Sequence, residues 1–226
     1  MTQSAAYSPT GLHQPRIGID ESGKGDYFGP LVIAAVYVTP ETEPDLRLMQ
    51  VRDSKRISDG RILEMAPDIK LACRHSIIVI GPRRYNELYE KIGNLNRLLA
   101  WGHARALENL LDQVECDLAI ADQFGDERLI LNALLEKGKK IRLVQRAKAE
   151  ADLAVAAASI LARAEFLTRL KRLSDEVGTT LPKGASQAVE LGARMVIKKH
   201  GKERLRSLAK MHFKTTTAVL AGFSEA

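Results

Sequence analysis

The sequence predicts an α/β domain in which helices flank a mixed β-sheet, with a helical part appended at the C-terminus. Two strand-like stretches follow one another near the start of the chain with no helix between them. Further along, short apolar runs alternate with segments of helical period, which is typical of parallel strands joined by crossover helices. After about residue 180 the pattern contains only helices and loops. Together these observations indicate a sheet of mixed strand direction.

The strands are predicted from alternation and from β-branched runs. Ile17 and Ile19 alternate with Gly18 and Asp20, so the first strand runs into the acidic pair Asp20-Glu21. The other predicted strands are apolar runs at 31–38, 76–80, 117–122 and 139–145. The first strand and the one at 117–122 both end in carboxylates.

The helices are predicted from the 3.6-residue period and from capping residues. Ser58 can cap a helix to about residue 69, and Asn94 can cap a helix with an apolar stripe to Leu110. His103, at the edge of that stripe, is expected to be packed and hydrogen-bonded rather than catalytic. Other helices are predicted at 85–91, 126–136, 150–176 and 186–199, with a last one from near residue 201, whereas the acidic, proline-broken stretch 39–45 is predicted to be a loop.

Length and composition limit the class of protein. The 226 residues suit one domain, which we expect over 16–226 after a flexible, polar tail over 1–15. No apolar run has the ~20 residues of a membrane span. The two cysteines, Cys73 and Cys116, are expected to be buried free thiols in a reducing, cytoplasmic compartment.

The charge of the chain points to an anionic partner. The net charge is +6 and the isoelectric point is near 9.3. Lysines crowd the C-terminal part, about 180–226, and Lys210 and Lys214 lie in one such group. A solvated helix face is the alternative interpretation of this clustering.

A candidate site lies where the first strand ends. Asp20-Glu21 is followed by Gly23-Lys24-Gly25, a turn able to bring backbone N–H groups and an ammonium close to a phosphate. The stretch resembles the start of a P-loop, but Gly25 stands where Ser or Thr should contact magnesium, and two carboxylates would repel the phosphates. A surface turn with solvated charges is the remaining alternative.

Further acids can join Asp20 and Glu21. Asp122 ends another strand, and ligands of α/β sheets collect at strand ends. Glu150, expected at the start of the long helix, competes with Asp152, because residues two apart on a helix diverge by roughly 200°. Asp126 is a further possibility. Oxygen ligands without His or Cys favour Mg²⁺ or Mn²⁺.

Four carboxylates can hold two such ions about 3.5–4 Å apart for phosphoryl displacement. A strict pleat, however, points Asp20 and Glu21 to opposite faces of the sheet. Both can serve in one site only if the strand already bends at Glu21.

Several ordered blocks resemble a known family. The block Asp20-Glu-Ser-Gly-Lys-Gly-Asp-Tyr-Phe-Gly-Pro-Leu31 is similar to that of the type 2 ribonucleases H, and more to ribonuclease HIII than to the HII branch, which usually has Asp-Glu-Ala-Gly-Arg-Gly. Further similar blocks are Asp53-Ser-Lys55, Ile120-Ala-Asp-Gln-Phe124, Lys148-Ala-Glu150 with Ala154-Val-Ala-Ala-Ala-Ser-Ile-Leu-Ala-Arg163, and Lys210-Met-His-Phe-Lys-Thr215.

The resemblance implies an RNase H-like fold and endonucleolytic cleavage of the RNA strand of RNA/DNA hybrids, leaving 5′-phosphate and 3′-hydroxyl ends. It assigns four acids to catalysis and to two Mg²⁺ or Mn²⁺ ions: Asp20, Glu21, Asp122 and Glu150. The glycine-lysine-glycine turn would contact the scissile strand near the 2′-OH, which distinguishes RNA from DNA. The full candidate substrate-binding set is Ser22, Gly23, Lys24, Gly25, Lys55, Lys210 and Lys214.

The chain also departs from the resemblance. Ribonuclease HIII usually carries an N-terminal substrate-binding domain resembling TATA-binding protein, whereas only 15 residues precede Arg16 here. Hybrid affinity is therefore expected to rest on the catalytic domain and its basic C-terminal part, in a monomer. The spacing from Glu150 to Ser159 is short by one residue, which keeps Asp152 as an alternative ligand. Cleavage at single embedded ribonucleotides, as in the HII branch, and a catalytically silent hybrid-binding module remain the alternative functions.

Overall fold

The computed structural model describes residues 14–223, so most of the predicted tail lies outside the described residues. Its sheet has five strands: β1 Arg16–Ser22, β2 Leu31–Val38, β3 His75–Ile80, β4 Leu118–Asp122 and β5 Arg142–Arg146. Their order is β3-β2-β1-β4-β5. The β3-β2-β1 half is antiparallel and the β1-β4-β5 half is parallel. The predicted mixed sheet is therefore confirmed, with β1 where the two halves meet.

The helices lie largely where capping and periodicity predict them. They are α1 Glu43–Leu48, α2 Asp59–Ala72, α3 Pro82–Ile92, α4 Leu95–Leu111, α5 Glu127–Ala133, α6 Leu153–Val177, α7 Gln187–His200 and α8 Lys214–Ala221. Short 3₁₀ turns cover Ser54–Arg56, Gly138–Lys140, Ala149–Ala151 and Lys202–Ser207. The side chains of Ser58 and Asn94 accept the predicted capping hydrogen bonds.

Several boundaries differ from the predictions. Strand β5 begins at Arg142 rather than at residue 139, and α5 ends at Ala133 rather than at residue 136. The expected loop 39–45 contains the start of α1, because Pro44, the second of its two prolines, lies in the first helical turn, where its missing N–H costs nothing. The helix expected from near residue 201 is the 3₁₀ turn Lys202–Ser207. The long helix begins at Leu153 rather than at residue 150.

The sheet is covered on both faces. Ile17 and Ile19 of β1 face the layer that contains α4. The other face packs against α6, which approaches β1 so closely that a Cβ at Gly18 would lie 2.0 Å from the carbonyl carbon of Ala154. The small alanines of the first turns of α6 make this approach possible, since a larger side chain would hold the helix away. The α6-facing side of β1 is therefore defined by Gly18 and continues to Asp20.

The C-terminal part shares this core. Val189, Val196, Leu205 and Val219 are buried in the same apolar cluster as Phe28 and the inner face of α6. An antiparallel bridge joins Phe28 to Ala209. The segment after α7 is therefore packed against the loop that connects β1 to β2.

The state of the two cysteines and the search for membrane-spanning helices can be compared with the expectations from composition. Both cysteines are free, as expected, but only Cys73 is buried; Cys116 is partly exposed in the loop before β4. Across the residues that the structure describes, no helix has the length and hydropathy needed to cross a membrane.

Candidate active site

Asp20 and Asp122 lie side by side at the ends of two parallel strands. The register pairs Ile19 with Ala121, so the next residue of each strand lies at the same level. Ile19 and Ala121 both belong to the α4-side core, whereas Ile120 packs against Val155 of α6. Because side chains alternate along a strand, Asp20 and Asp122 both project on the α6 side.

Asp20 is in an environment that disfavours a bare carboxylate. Burial raises its pKa well above the ordinary value, and the negative charges of Glu21 and Asp122 raise it further. The backbone N–H of Glu21 donates to Asp20 Oδ1 at 2.8 Å, and the charge of Lys55 also opposes the shift. The negative charge around Asp20 is only partly balanced by Lys55. A divalent cation bound there would reduce this repulsion.

Glu21 projects to the opposite face. Its Oε2 accepts a hydrogen bond from Nε2 of the buried His103 on α4, at 3.0 Å. Burial alone would raise the pKa of Glu21, but this hydrogen bond and the nearby positive charges lower it. The ladder with β2 continues through Ser22, so the strand does not bend at Glu21. Asp20 and Glu21 could both serve one metal site only if the strand bent at Glu21, and the backbone does not bend there.

Glu150 lies outside the long helix, in the 3₁₀ turn Ala149–Ala151. The preceding residue, Lys148, has a left-handed backbone with φ of 56°, which reverses the chain before this turn. Asp122 Oδ1 accepts the N–H of Ala149 at 3.1 Å. The strand-end aspartate thus holds the turn that carries Glu150. The helix start predicted at residue 150 was wrong because Asp152, not a residue before it, caps α6 by accepting the N–H of Ala154.

Asp152 is occupied by a structural ion pair. Its Oδ2 accepts from Arg16 Nε at 2.8 Å, and both side chains are almost completely buried. Asp126 is also occupied, because it caps α5 and pairs with the exposed Arg128. Both residues considered as additional or alternative ligands therefore have other roles in this structure. Glu150, in the turn that Asp122 holds, remains the candidate for the further ligand.

The loop after β1 presents one lysine and one open glycine. Gly23 is buried with φ of +88°, and a Cβ there would lie 2.2 Å from the carbonyl oxygen of Pro30. Gly25, in contrast, has open space around its Cα. Lys24 Nζ is 3.7 Å from Glu21 Oε1 and 5.7 Å from the ring centroid of Phe124. The loop therefore places an ammonium beside Glu21 and leaves room at Gly25 for another molecule.

Lys55 approaches the acids from a different element. Ser54 and Ser159 share a hydrogen bond of 2.5 Å between their hydroxyls, which fixes the turn Ser54–Arg56 on α6. Asp53 also accepts the backbone N–H of Lys55 at 2.9 Å. From this position the exposed Lys55 acts electrostatically on both Asp20 and Glu21. The predicted block 53–55 thus lies next to the acids.

The two C-terminal lysines of the candidate set differ in position. Lys214 is exposed at the first turn of α8. Lys210 is fully buried, and its ammonium donates to backbone carbonyls of the loop after β1. The direct phosphate contact expected of Lys210 lacks the required exposure. The burial of Lys210 could not be predicted from the sequence, because no local pattern distinguishes a buried lysine from an exposed one in a basic stretch.

The side chains of the four predicted acids do not form a metal coordination sphere in this structure. Within residues 14–223, no group of three or more His, Cys, Asp or Glu side chains is arranged to hold a metal ion. The donor set itself, carboxylates without nitrogen or sulfur, fits hard divalent cations. His103 is buried and hydrogen-bonded, as expected from the sequence, but its partner Glu21 could not be predicted, since only the fold brings α4 to that residue.

This mixed sheet, with adjacent aspartates at the ends of two central parallel strands, defines a nuclease of the RNase H-like class. The family model for ribonuclease HII matches residues 17–216, and the chain belongs to this family, the type 2 ribonucleases H. It is accordingly an endoribonuclease of the ribonuclease H type.

Relatives and solved structures agree with this assignment. The chain is 51% identical over 206 residues to ribonuclease HIII of Protochlamydia amoebophila, covering 91% of this chain and 68% of the relative. It is 45% identical over 212 residues to ribonuclease HIII of Chlamydia pneumoniae, covering 92% and 71%. The crystal structure of Bst-RNase HIII in complex with Mn²⁺ superposes with a TM-score of 0.89 at 34% identity, over 100% of this chain and 77% of that one. Ribonuclease H2 from Pyrococcus horikoshii, at 21% identity over 94% of this chain and 100% of that one, supports the fold with a TM-score of 0.78.

Proposed function

We propose that the protein cleaves the RNA strand of RNA/DNA hybrids by metal-dependent hydrolysis, leaving 5′-phosphate and 3′-hydroxyl ends. The observation that carries the proposal is the pairing of Asp20 and Asp122 on one face at adjacent strand ends, with Lys55 acting on Asp20 and Lys24 next to the neighbouring Glu21. The structure of Bst-RNase HIII, described as a complex with Mn²⁺, supports the use of a divalent cation.

The metal would be held by Asp20, Asp122 and Glu150. Glu21, the fourth acid of the predicted set, is hydrogen-bonded to His103 on the opposite face and would join the site only if the strand bent there. Two Mg²⁺ or Mn²⁺ ions there would supply an activated water and stabilise the departing 3′ oxygen. Because Asp122 accepts the N–H of Ala149, the turn that carries Glu150 is held next to the strand end of β4. His103 holds Glu21 in a fixed orientation through its hydrogen bond.

The substrate side of the proposal rests on the loop after β1. Lys24 supplies a positive charge for the scissile phosphate, and the open face of Gly25 lets a ribose with its 2′-OH approach the backbone. Lys55 and Lys214 are exposed and would bind flanking phosphates. With these groups on the catalytic domain, we propose that hybrid binding uses residues 16–226, including the basic C-terminal part.

Substitution of the strand-end acids tests the metal assignment. Asp20→Asn and Asp122→Asn should each reduce hybrid cleavage by more than about tenfold, or ~1.4 kcal/mol of transition-state stabilisation, while hybrid binding persists. The matched control is Asp175→Asn, which removes an exposed acid paired with Lys171 on α6 and should keep the wild-type rate. Retention of more than a tenth of the rate in Asp20→Asn would contradict the assignment.

The two alternatives are separated by substrate and by chelation. A uniform RNA/DNA hybrid should be cleaved faster than a DNA duplex with one embedded ribonucleotide; the reverse ranking would indicate HII-like specificity. A chelator should abolish cleavage and leave hybrid binding measurable. Binding without any metal-dependent cleavage would instead show a silent binding module.

A further inference from the structure

Lys210 is a buried lysine whose polar partners all come from one loop. It follows the 3₁₀ turn Lys202–Ser207 and has no exposed surface. Its Nζ donates to the carbonyl oxygens of Asp26 at 2.7 Å and Gly29 at 2.8 Å. The ammonium also lies 5.6 Å from the centroid of the Tyr85 ring. Asp26 and Gly29 belong to the same β1–β2 loop that carries Lys24 and Gly25.

The backbone of the same C-terminal segment binds this loop as well. The N–H of Lys210 donates to Tyr27 O at 2.8 Å, and the N–H of Gly29 donates to Leu208 O at 2.9 Å. On the other side of the loop, Gly184 accepts the N–H of Tyr27 and donates to Asp26 Oδ1. The half of the loop from Asp26 to Gly29 is therefore fastened, while Lys24 and Gly25 remain accessible.

A lysine at this position has a cost that packing alone does not explain. Burying an amine without partners is unfavourable by several kcal/mol, and an apolar side chain of similar length would fill the same volume. What the ammonium adds is a pair of hydrogen bonds to two inward-facing carbonyls three residues apart. Without a donor there, both buried carbonyls would lose their hydrogen bond to the lysine side chain. The loop would then lose a constraint on its conformation.

We propose that Lys210 is a positioning residue that holds the β1–β2 loop in the conformation that presents Lys24 and Gly25 to the substrate. The part of this inference that concerns substrate rests on the function proposed above. Lys210 thus acts on the reaction through the conformation of the loop. Because it is buried, it makes no contact with a phosphate.

Amide hydrogen exchange tests the proposal without any substrate. In Lys210→Met, the amides of Tyr27 and Gly29 should exchange at least tenfold faster than in the wild type, whereas amides in the centre of β1 and β2 change less than twofold. The control Lys171→Met removes an exposed lysine and should change neither group. Unchanged exchange in the loop, or the same acceleration everywhere in the sheet, would overturn the proposal.

A double-mutant cycle tests whether Lys210 acts through Lys24. Lys210→Met should reduce kcat/KM for an RNA/DNA hybrid at least tenfold in the wild-type background and less than twofold in the Lys24→Ala background. Equal losses in both backgrounds would show that Lys210 acts elsewhere and would overturn the proposal. If the wild-type protein cleaves no hybrid, the proposed function fails, and the exchange measurement still decides whether Lys210 holds the loop.

Discussion

At the scale of single residues, Glu150 and Asp152 differ sharply although only Ala151 separates them. Asp152 is buried against Arg16, 136 positions earlier in the chain, while Glu150 lies in the turn held by Asp122. The fold thus assigns a structural role to one acid and leaves the other available to a ligand. Their substitutions should separate stability from activity.

Glu150→Gln should abolish most hybrid cleavage while the free energy of unfolding stays within about 0.5 kcal/mol of the wild type. Asp152→Asn should show the opposite pattern: a loss of about 2 kcal/mol in stability, because the buried Arg16 loses one of its two acidic partners and keeps only Glu43, and a largely retained rate in the folded fraction. Denaturant unfolding and single-turnover cleavage measure the two effects. A stable, inactive Asp152→Asn beside an active Glu150→Gln would reverse our assignment.

Gly23 and Gly25 make a second contrast between neighbouring residues. A Cβ at Gly23 would collide with the carbonyl oxygen of Pro30, and φ of +88° disfavours any other residue. Gly25 has neither constraint. The fold therefore requires a glycine at the first position only.

We expect Gly23→Ala to destabilise the protein by about 2 kcal/mol or more, since clash and strain add. Gly25→Ala should leave stability within about 0.5 kcal/mol. Its expected effect is a higher KM for the hybrid, because the methyl group occupies the space left for the ribose. Thermal unfolding and steady-state kinetics test the pair, and an unchanged KM in Gly25→Ala would remove the proposed role of that space.

At the scale of elements, the site depends on how closely α6 approaches β1. Gly18 and the alanines of α6 let the helix backbone lie directly on the strand. This contact sets the position of the cap at Asp152 and of the turn Ala149–Ala151 before it. A change in the spacing between α6 and β1 would therefore move Glu150 relative to Asp20.

Gly18→Ala should lower the free energy of unfolding by about 3 kcal/mol, because the added methyl overlaps the backbone of Ala154 and only a shift of the helix relieves it. Activity should fall more than the loss of folded protein accounts for, as the turn with Glu150 moves with the helix. Cleavage per folded molecule, with folding followed by circular dichroism, is the measurement. Full activity of the folded fraction would show that the spacing does not position the site.

At the scale of the whole molecule, the candidate site combines residues that are far apart in the described part of the chain. The acids come from β1, β4 and the turn before α6, while the C-terminal segment fastens the loop after β1. Lys210 also links this assembly to pH. Burial lowers its pKa to about 7, although the charge of Asp26 opposes the shift.

The unfolded chain, in which lysine has its ordinary pKa of about 10.4, binds more protons than the folded protein between pH 7 and 10. The lysine contribution to the free energy of unfolding should therefore increase with pH in that window, by up to ~1.4 kcal/mol per pH unit. Urea unfolding from pH 7 to 10 should show this slope in the wild type and not in Lys210→Met. Parallel pH dependences in the two proteins would indicate that Lys210 titrates alike in both states.

The sequence by itself determined the strands, most helices and the acids at the strand ends. These features depend on local causes: alternation for β1 and β2, capping by Ser58 and Asn94, and a carboxylate directly after an apolar run at Asp122. Each is encoded within a few neighbouring residues, which is why the mixed sheet and the pairing of strand ends could be predicted.

Only the tertiary structure decided which charged residues are buried and what they contact. The pairing of Arg16 with Asp152, the contact of His103 with Glu21 and the burial of Lys210 each join positions about 80 or more residues apart, and such contacts are set by packing rather than by local pattern. The start of α6 was misplaced for the same reason. Asp152 caps that helix in a position that its ion pair with Arg16 of β1 fixes, so Glu150 was left in the turn before it.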